Sequence, residues 1–154
     1  MDLLTWGLYL VGSLFAGFIS AYITHWLKLR RSRQDKWWDM KVAAYKDINS
    51  SLSNMKHSLN SWMDELLHLR SLDDDHKGKL NDSYSKAVDH IRLTVAAGNF
   101  LITEEAEQVM KELLNGMGDI FDPSLYIQFE NTYMLVDEHQ KKFNLIAKAD
   151  LCIE

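Results

Sequence analysis

His25, His57, His68, His76, His90 and His139 are the chain's candidates for metal ligation or general acid–base work, and no two of them stand four apart. A helical zinc site needs that spacing to place two imidazoles on one face, and the lone Cys152 brings no thiolate pair. A single cysteine also excludes an internal disulfide; it fits a reducing compartment, with packing as its expected role. The sequence holds no GxGxxG, GxxxxGK[ST] or GxSxG, so phosphate cradles and nucleophile elbows are absent. Asp73, Asp74 and Asp75 could hold a divalent cation loosely, but a solvated acidic loop is the expected reading. No metal, no cofactor and no enzymatic activity are expected.

One spacing remains. In "RSLDDDH", Arg70 and His76 stand six apart. This resembles the Arg-x4-6-His signature of the HEPN ribonucleases, which are also helical bundles. The resemblance implies that the two side chains act on a phosphodiester at a dimer interface. Three aspartates lie between them here, and they would repel RNA.

The elements around these residues are more informative. From Leu3 to Leu27 there is no Asp, Glu, Lys or Arg, a run of 25 residues. About 20 apolar residues suffice to cross a hydrocarbon core of about 30 Å. Trp6 and Trp26, with Tyr9 and Tyr22 just inside them, have the placement of two interfacial aromatic belts. Asp2 precedes the run, and Lys28, Arg30, Arg31 and Arg33 form a membrane collar after it, which is the reverse of a cleaved signal peptide. The expectation is a single-pass anchor in the bacterial inner membrane, N-terminus outside, with residues 1–33 as anchor and collar and 34–154 as a cytoplasmic domain.

Small residues interrupt this run. Gly12, Ala16, Ser20 and Thr24 form one ridge at helical spacing, and Ser13, Gly17 and Ala21 form the ridge beside it. Lipid tails are as apolar as leucine, so helices meet in a bilayer through close packing and interhelical hydrogen bonds, which small faces permit. Self-association, or pairing with another span, is therefore expected. In a ring, Ser13, Ser20, Thr24 and His25 could offer polar atoms to a lumen; alternatively His25 is an interfacial group snorkelling beside Trp26.

The charge of the rest differs in sign from the collar. Residues 34–154 carry 13 basic and 21 acidic residues, near -8, within a chain of 154 residues and net charge -5. Such a domain is repelled by phosphate backbones and anionic lipid, so no nucleic-acid partner is expected.

Hydrophobic periodicity divides this domain into helices. Trp38, Tyr45, Leu52, Leu59 and Leu66 recur at sevens, and Ile48, Met55, Trp62 and Leu69 fall three residues after members of that set. This a/d pattern predicts one helix over 34–72. "DDDHKGKLND" reads as a loop, followed by a helix over 80–97 that Gly98 and Asn99 end. Thr103 with Glu104 and Glu105 predicts a capped third helix that stops near Gly116 and Gly118. Asp122-Pro123 predicts the cap and first position of a fourth helix running to the C-terminus. No segment alternates with period two. The expected fold is all-α: one transmembrane helix, then an antiparallel four-helix bundle with a long first helix. Trp37, Trp38 and Tyr45 fall at the start of that helix and form a candidate stem interface.

"KWWDMKVAAYKDI", after a basic collar and one span, resembles small bacterial membrane-anchored helical proteins, several of which accompany antiphage systems. The pore-forming membrane accessory proteins of type VI-B CRISPR loci and the transmembrane effectors of retrons are the comparisons. The resemblance covers the order of elements and residues 36–48. It implies a non-enzymatic effector that forms homo-oligomers, answers a sensor or regulatory protein and perturbs the bilayer. The alternatives are a membrane-tethered scaffold recruiting a cytoplasmic partner, and a tethered HEPN-like ribonuclease.

Overall fold

A computed structural model describes residues 3–68, 72–96 and 101–152; ahead of Asp35, the side chains of His25 and Lys28 alone are described. Among the described residues four helices account for the regular structure: α1 (Leu3–Leu66), α2 (Asp74–Ala96), α3 (Glu104–Asp119) and α4 (Leu125–Asp150). No strand occurs among the described residues, so the chain is all-α. The chain divides into two compact units, Met1–Met40 and Lys41–Glu154. Charge and hydropathy along the sequence put the division at 33/34. Within the second unit Lys41 reaches Asp150 of α4 at 2.7 Å.

In the first unit the backbone is helical from Leu3, and His25 and Lys28 are exposed. Among the described residues no helix is long and apolar enough to cross a membrane. The side chains of residues 1–24, where the expected span lies, are outside those described.

The second unit is a helical bundle around one core. α1 contributes Tyr45, Ile48, Leu52, Met55 and Leu59, the centre of its heptad pattern. Ala87, Val88 and Ile91 enter from α2; Ala106, Met110 and Leu113 from α3; Val136 and Phe143 from α4. The ends of the heptad do not follow. Trp38 belongs to the first unit and is exposed, and Leu66 is exposed where α1 stops at the edge of an open cleft.

Polar contacts give the helix directions. Along α1, Lys41, Asn49 and Lys56 meet Asp150, Gln140 and Asp137 in turn, so α4 runs antiparallel to α1. Ser51 lies 3.1 Å from the His90 ring, Ser58 donates to the Leu80 carbonyl at 3.2 Å, and Glu65 pairs with Lys77, so α2 is antiparallel as well. Ser51, Ser58 and Ser61 are buried and small, and their hydroxyls are satisfied by backbone carbonyls, which lets α2 approach without an orphaned polar group.

The helix boundaries differ from expectation in three places. α1 ends at Leu66 rather than Leu72: Leu67 and His68 still donate to Met63 and Glu65, and His68 then takes a left-handed φ of 57°. The acidic stretch is helix, not loop. Asp73 Oδ1 accepts from the His76 N–H at 2.7 Å, and Asp74 and Asp75 occupy the first turn, where the helix dipole favours carboxylates. Gly78 sits inside this helix facing open space, and Gly116 and Gly118 sit inside α3, which ends one residue later at Asp119. Finally, α4 is capped by Ser124, whose hydroxyl accepts from the Ile127 N–H; Asp122 instead accepts from the Ser124 N–H across a turn. The Thr103 cap of α3 is as expected, accepting from Ala106. Gly98 and Asn99 lie outside the described residues.

Candidate functional site

Within the second unit the histidines have separate surroundings. His57 and His68 are exposed, His76 is half-buried in the first turn of α2, His90 meets Ser51, and His139 is buried, with Nδ1 2.8 Å from the Leu135 carbonyl. Among the described residues no three His, Cys, Asp or Glu side chains come together to hold a metal ion. Asp73 is a helix cap and Asp75 pairs with Lys79, so the aspartate triplet is spent on starting α2. Cys152, expected to pack, is exposed beyond the end of α4 with a φ of 50°.

Several candidates lie outside the described residues: Arg70, the expected partner of His76, and the side chains of Gly12, Ser13, Ala16, Gly17, Ser20, Ala21, Thr24, Arg30, Arg31 and Arg33. Trp37 and Trp38 are about half exposed at the end of the first unit. Tyr45, grouped with them as a stem contact, is a core residue instead, 3% exposed and tilted against Phe143 at 5.4 Å between ring centroids.

Two constellations emerge in the second unit. The first is polar. Tyr45 donates to Asp150 Oδ2 at 2.7 Å, Lys41 donates to Oδ1 at 2.7 Å, and the Thr103 N–H donates to the Tyr45 hydroxyl at 3.2 Å. Burial alone would raise the Asp150 carboxyl, but the bonds from Lys41 and Tyr45 and the Lys41 charge outweigh it and hold it below its ordinary value. Burial and the adjacent carboxylate push the Tyr45 phenol up, against the pull of the Thr103 amide. Every member donates to or accepts from another, so this knot ties α1, α4 and the start of α3 and offers no free group to a substrate.

The second lies at the opposite end of the bundle, where α1 ends and α2 and α4 begin. Trp62 stacks at a tilt on Tyr84 (5.2 Å) and on Phe129 (5.3 Å). Beside this trio opens a cleft of about 460 Å³ lined by Trp62, Glu65, Leu66, Lys77, Asn81 and Phe129. Glu65 and Lys77 pair at 2.6 Å within it, and that bond holds the Lys77 ammonium above its usual range. The cleft has apolar walls and one paired charge, with no nucleophile next to a base. Its shape and lining suit an apolar group. Reading the heptad identifies Trp62 as inward, but not that the wall around it is left open.

No protein-family model, no curated protein and no solved structure matches this chain.

Proposed function

We propose that the chain is a non-enzymatic, membrane-anchored effector of the bacterial inner membrane that assembles through its N-terminal span and perturbs the bilayer in antiphage defence. The observation that carries this reading is the uncharged run Leu3–Leu27, closed by Lys28, Arg30, Arg31 and Arg33 and bearing two ridges of small residues. An anchor alone would be served better by leucine; small side chains allow backbones to touch. The antiphage setting comes from the resemblance carried by residues 36–48 and by the order of elements. The helical bundle, with its satisfied polar knot and absent catalytic pairing among the described residues, supports a binding rather than a chemical role.

The test is the double substitution Gly12→Leu with Ala16→Leu, read by cross-linking within the span and by membrane depolarisation on expression. Both should be abolished while insertion is unchanged. Depolarisation that persists with normal insertion overturns the reading.

A second reading is favoured by the aromatic cleft: a tethered adaptor whose bundle receives a soluble protein. The two are compatible if the partner is the trigger, and they separate on whether the span itself is replaceable.

A further inference from the structure

The heptad stripe of α1 contains one charged side chain. Lys41 follows Trp38 by three, as Ile48 follows Tyr45 and Met55 follows Leu52, so it holds a position that is apolar in every later repeat. Tyr45, Ile48, Leu52 and Met55 are sealed in the core. Lys41 is largely withdrawn from water too: its side chain is 13% exposed, and that of Asp150, which it meets at 2.7 Å, is 16% exposed. The other Asp150 oxygen accepts from Tyr45, the next member of the stripe. A charge taken out of water is tolerated where a counter-charge is fixed beside it, and here the last turn of α4 supplies one.

The same stripe would suit a different cover. An a/d repeat unbroken by Pro or Gly is the seam of a coiled coil. Spans that pair would bring the α1 helices of two copies out of the bilayer side by side and in parallel. Each seam residue then meets its own counterpart, so Tyr45 and Ile48 would present apolar surface to their equals. Lys41 would meet a second Lys41, and the flanking positions Trp37, Val42 and Ala44 bring no acid to either. Two ammonium groups facing one another in a seam repel, with nothing to offset their lost hydration. The Asp150 carboxylate comes with α4 and with no second α1.

We propose that Lys41 and Asp150 are a partner-selecting clasp. They commit the start of the α1 seam to α4 and bar it from the α1 of a second copy, so assembly through the span stops short of the bundle. This deepens the effector reading and rests on its self-association, but its test reads a distance beyond the span, so the two fail separately.

Spin labels are attached at Lys46→Cys, an exposed position on α1, in a Cys152→Ser background. The full chain is placed in phosphatidylcholine nanodiscs, and distances between copies are read by pulsed dipolar spectroscopy. Cross-linking within the span of the same samples reports whether copies associate. Lys41→Leu matches the later repeats and leaves Asp150 its bond from Tyr45. It should bring the labels closer by about 10 Å, the diameter of one helix no longer intervening. Lys41→Met, which keeps an unbranched side chain without its charge, should do the same. Lys41→Arg keeps the charge and should hold the wild-type distance. Circular dichroism of each variant reports whether the bundle is folded. An unchanged distance in folded, span-cross-linked Lys41→Leu and Lys41→Met overturns the proposal, as does Lys41→Arg moving with them. Short distances already present in the wild type overturn it as well. Loss of the fold in both uncharged variants makes the pair a plain stability element and overturns it. A wild-type span that never cross-links removes the effector reading and this proposal together.

Discussion

Tyr45 donates to Asp150 and accepts from the Thr103 amide, so one phenol joins α1, α4 and the cap of α3. Tyr45→Phe keeps the ring against Phe143 and removes both hydrogen bonds. The expected loss is about 1–2 kcal/mol at neutral pH, read from the midpoint of urea unfolding. The Asp150 carboxyl is held below its ordinary value in the folded chain. Its stabilisation is therefore present above the unfolded value, about 3.9, and is lost as pH falls through the lower folded value. Acid should weaken the wild type more steeply below about pH 4 than Tyr45→Phe, whose Asp150 has lost one donor. Equal midpoints for the two proteins at neutral pH would show that the knot contributes nothing. From sequence alone Tyr45 is equally a heptad core residue and, beside Trp37 and Trp38, a surface aromatic. Only the position of Asp150, 105 residues away in the chain, decides between them.

At the scale of elements, glycine separates local preference from packing. Gly78 and Gly118 lie inside helices, and a Cβ added at either would have nothing within 4 Å, whereas one at Gly116 would stand 3.0 Å from Leu135 Cδ2. Gly78→Ala and Gly118→Ala should each raise stability by about 0.5–1 kcal/mol, because alanine loses less backbone entropy. Gly116→Ala should gain less than either, since the end of Leu135 must shift to make room; thermal unfolding of the three variants checks the order. Two helix starts show the same contest between composition and context. Gly78 beside three aspartates has the composition of a loop, yet Asp73 caps the helix and the next two acids complement its dipole. Asp122-Pro123 has the composition of a helix start, yet Asp122 closes a turn onto Ser124, and Ser124 does the capping. Thr103 is legible in the sequence because the cap and the acids that follow it agree.

For the whole molecule, the decisive question is whether the proposed span carries information or only attachment. Exchanging residues 3–27 for an unrelated leucine-rich anchor should abolish depolarisation if the span assembles the effector. Depolarisation that survives the exchange would leave the tethered adaptor standing alone.

The sequence by itself determined the helical class, the candidate span with its collar, and the inward stripe of the first helix. These depend on spacing and charge along one element, which a chain carries locally. Tertiary structure decided that Tyr45 is bound within the bundle, that Asp73 and Ser124 are caps, and that the wall beside Trp62 is open. Each of these depends on where distant segments end relative to one another. α1 has more apolar heptad positions than its partners can cover, so Leu66 is left in water at the mouth of the cleft while Leu52 and Met55 are sealed.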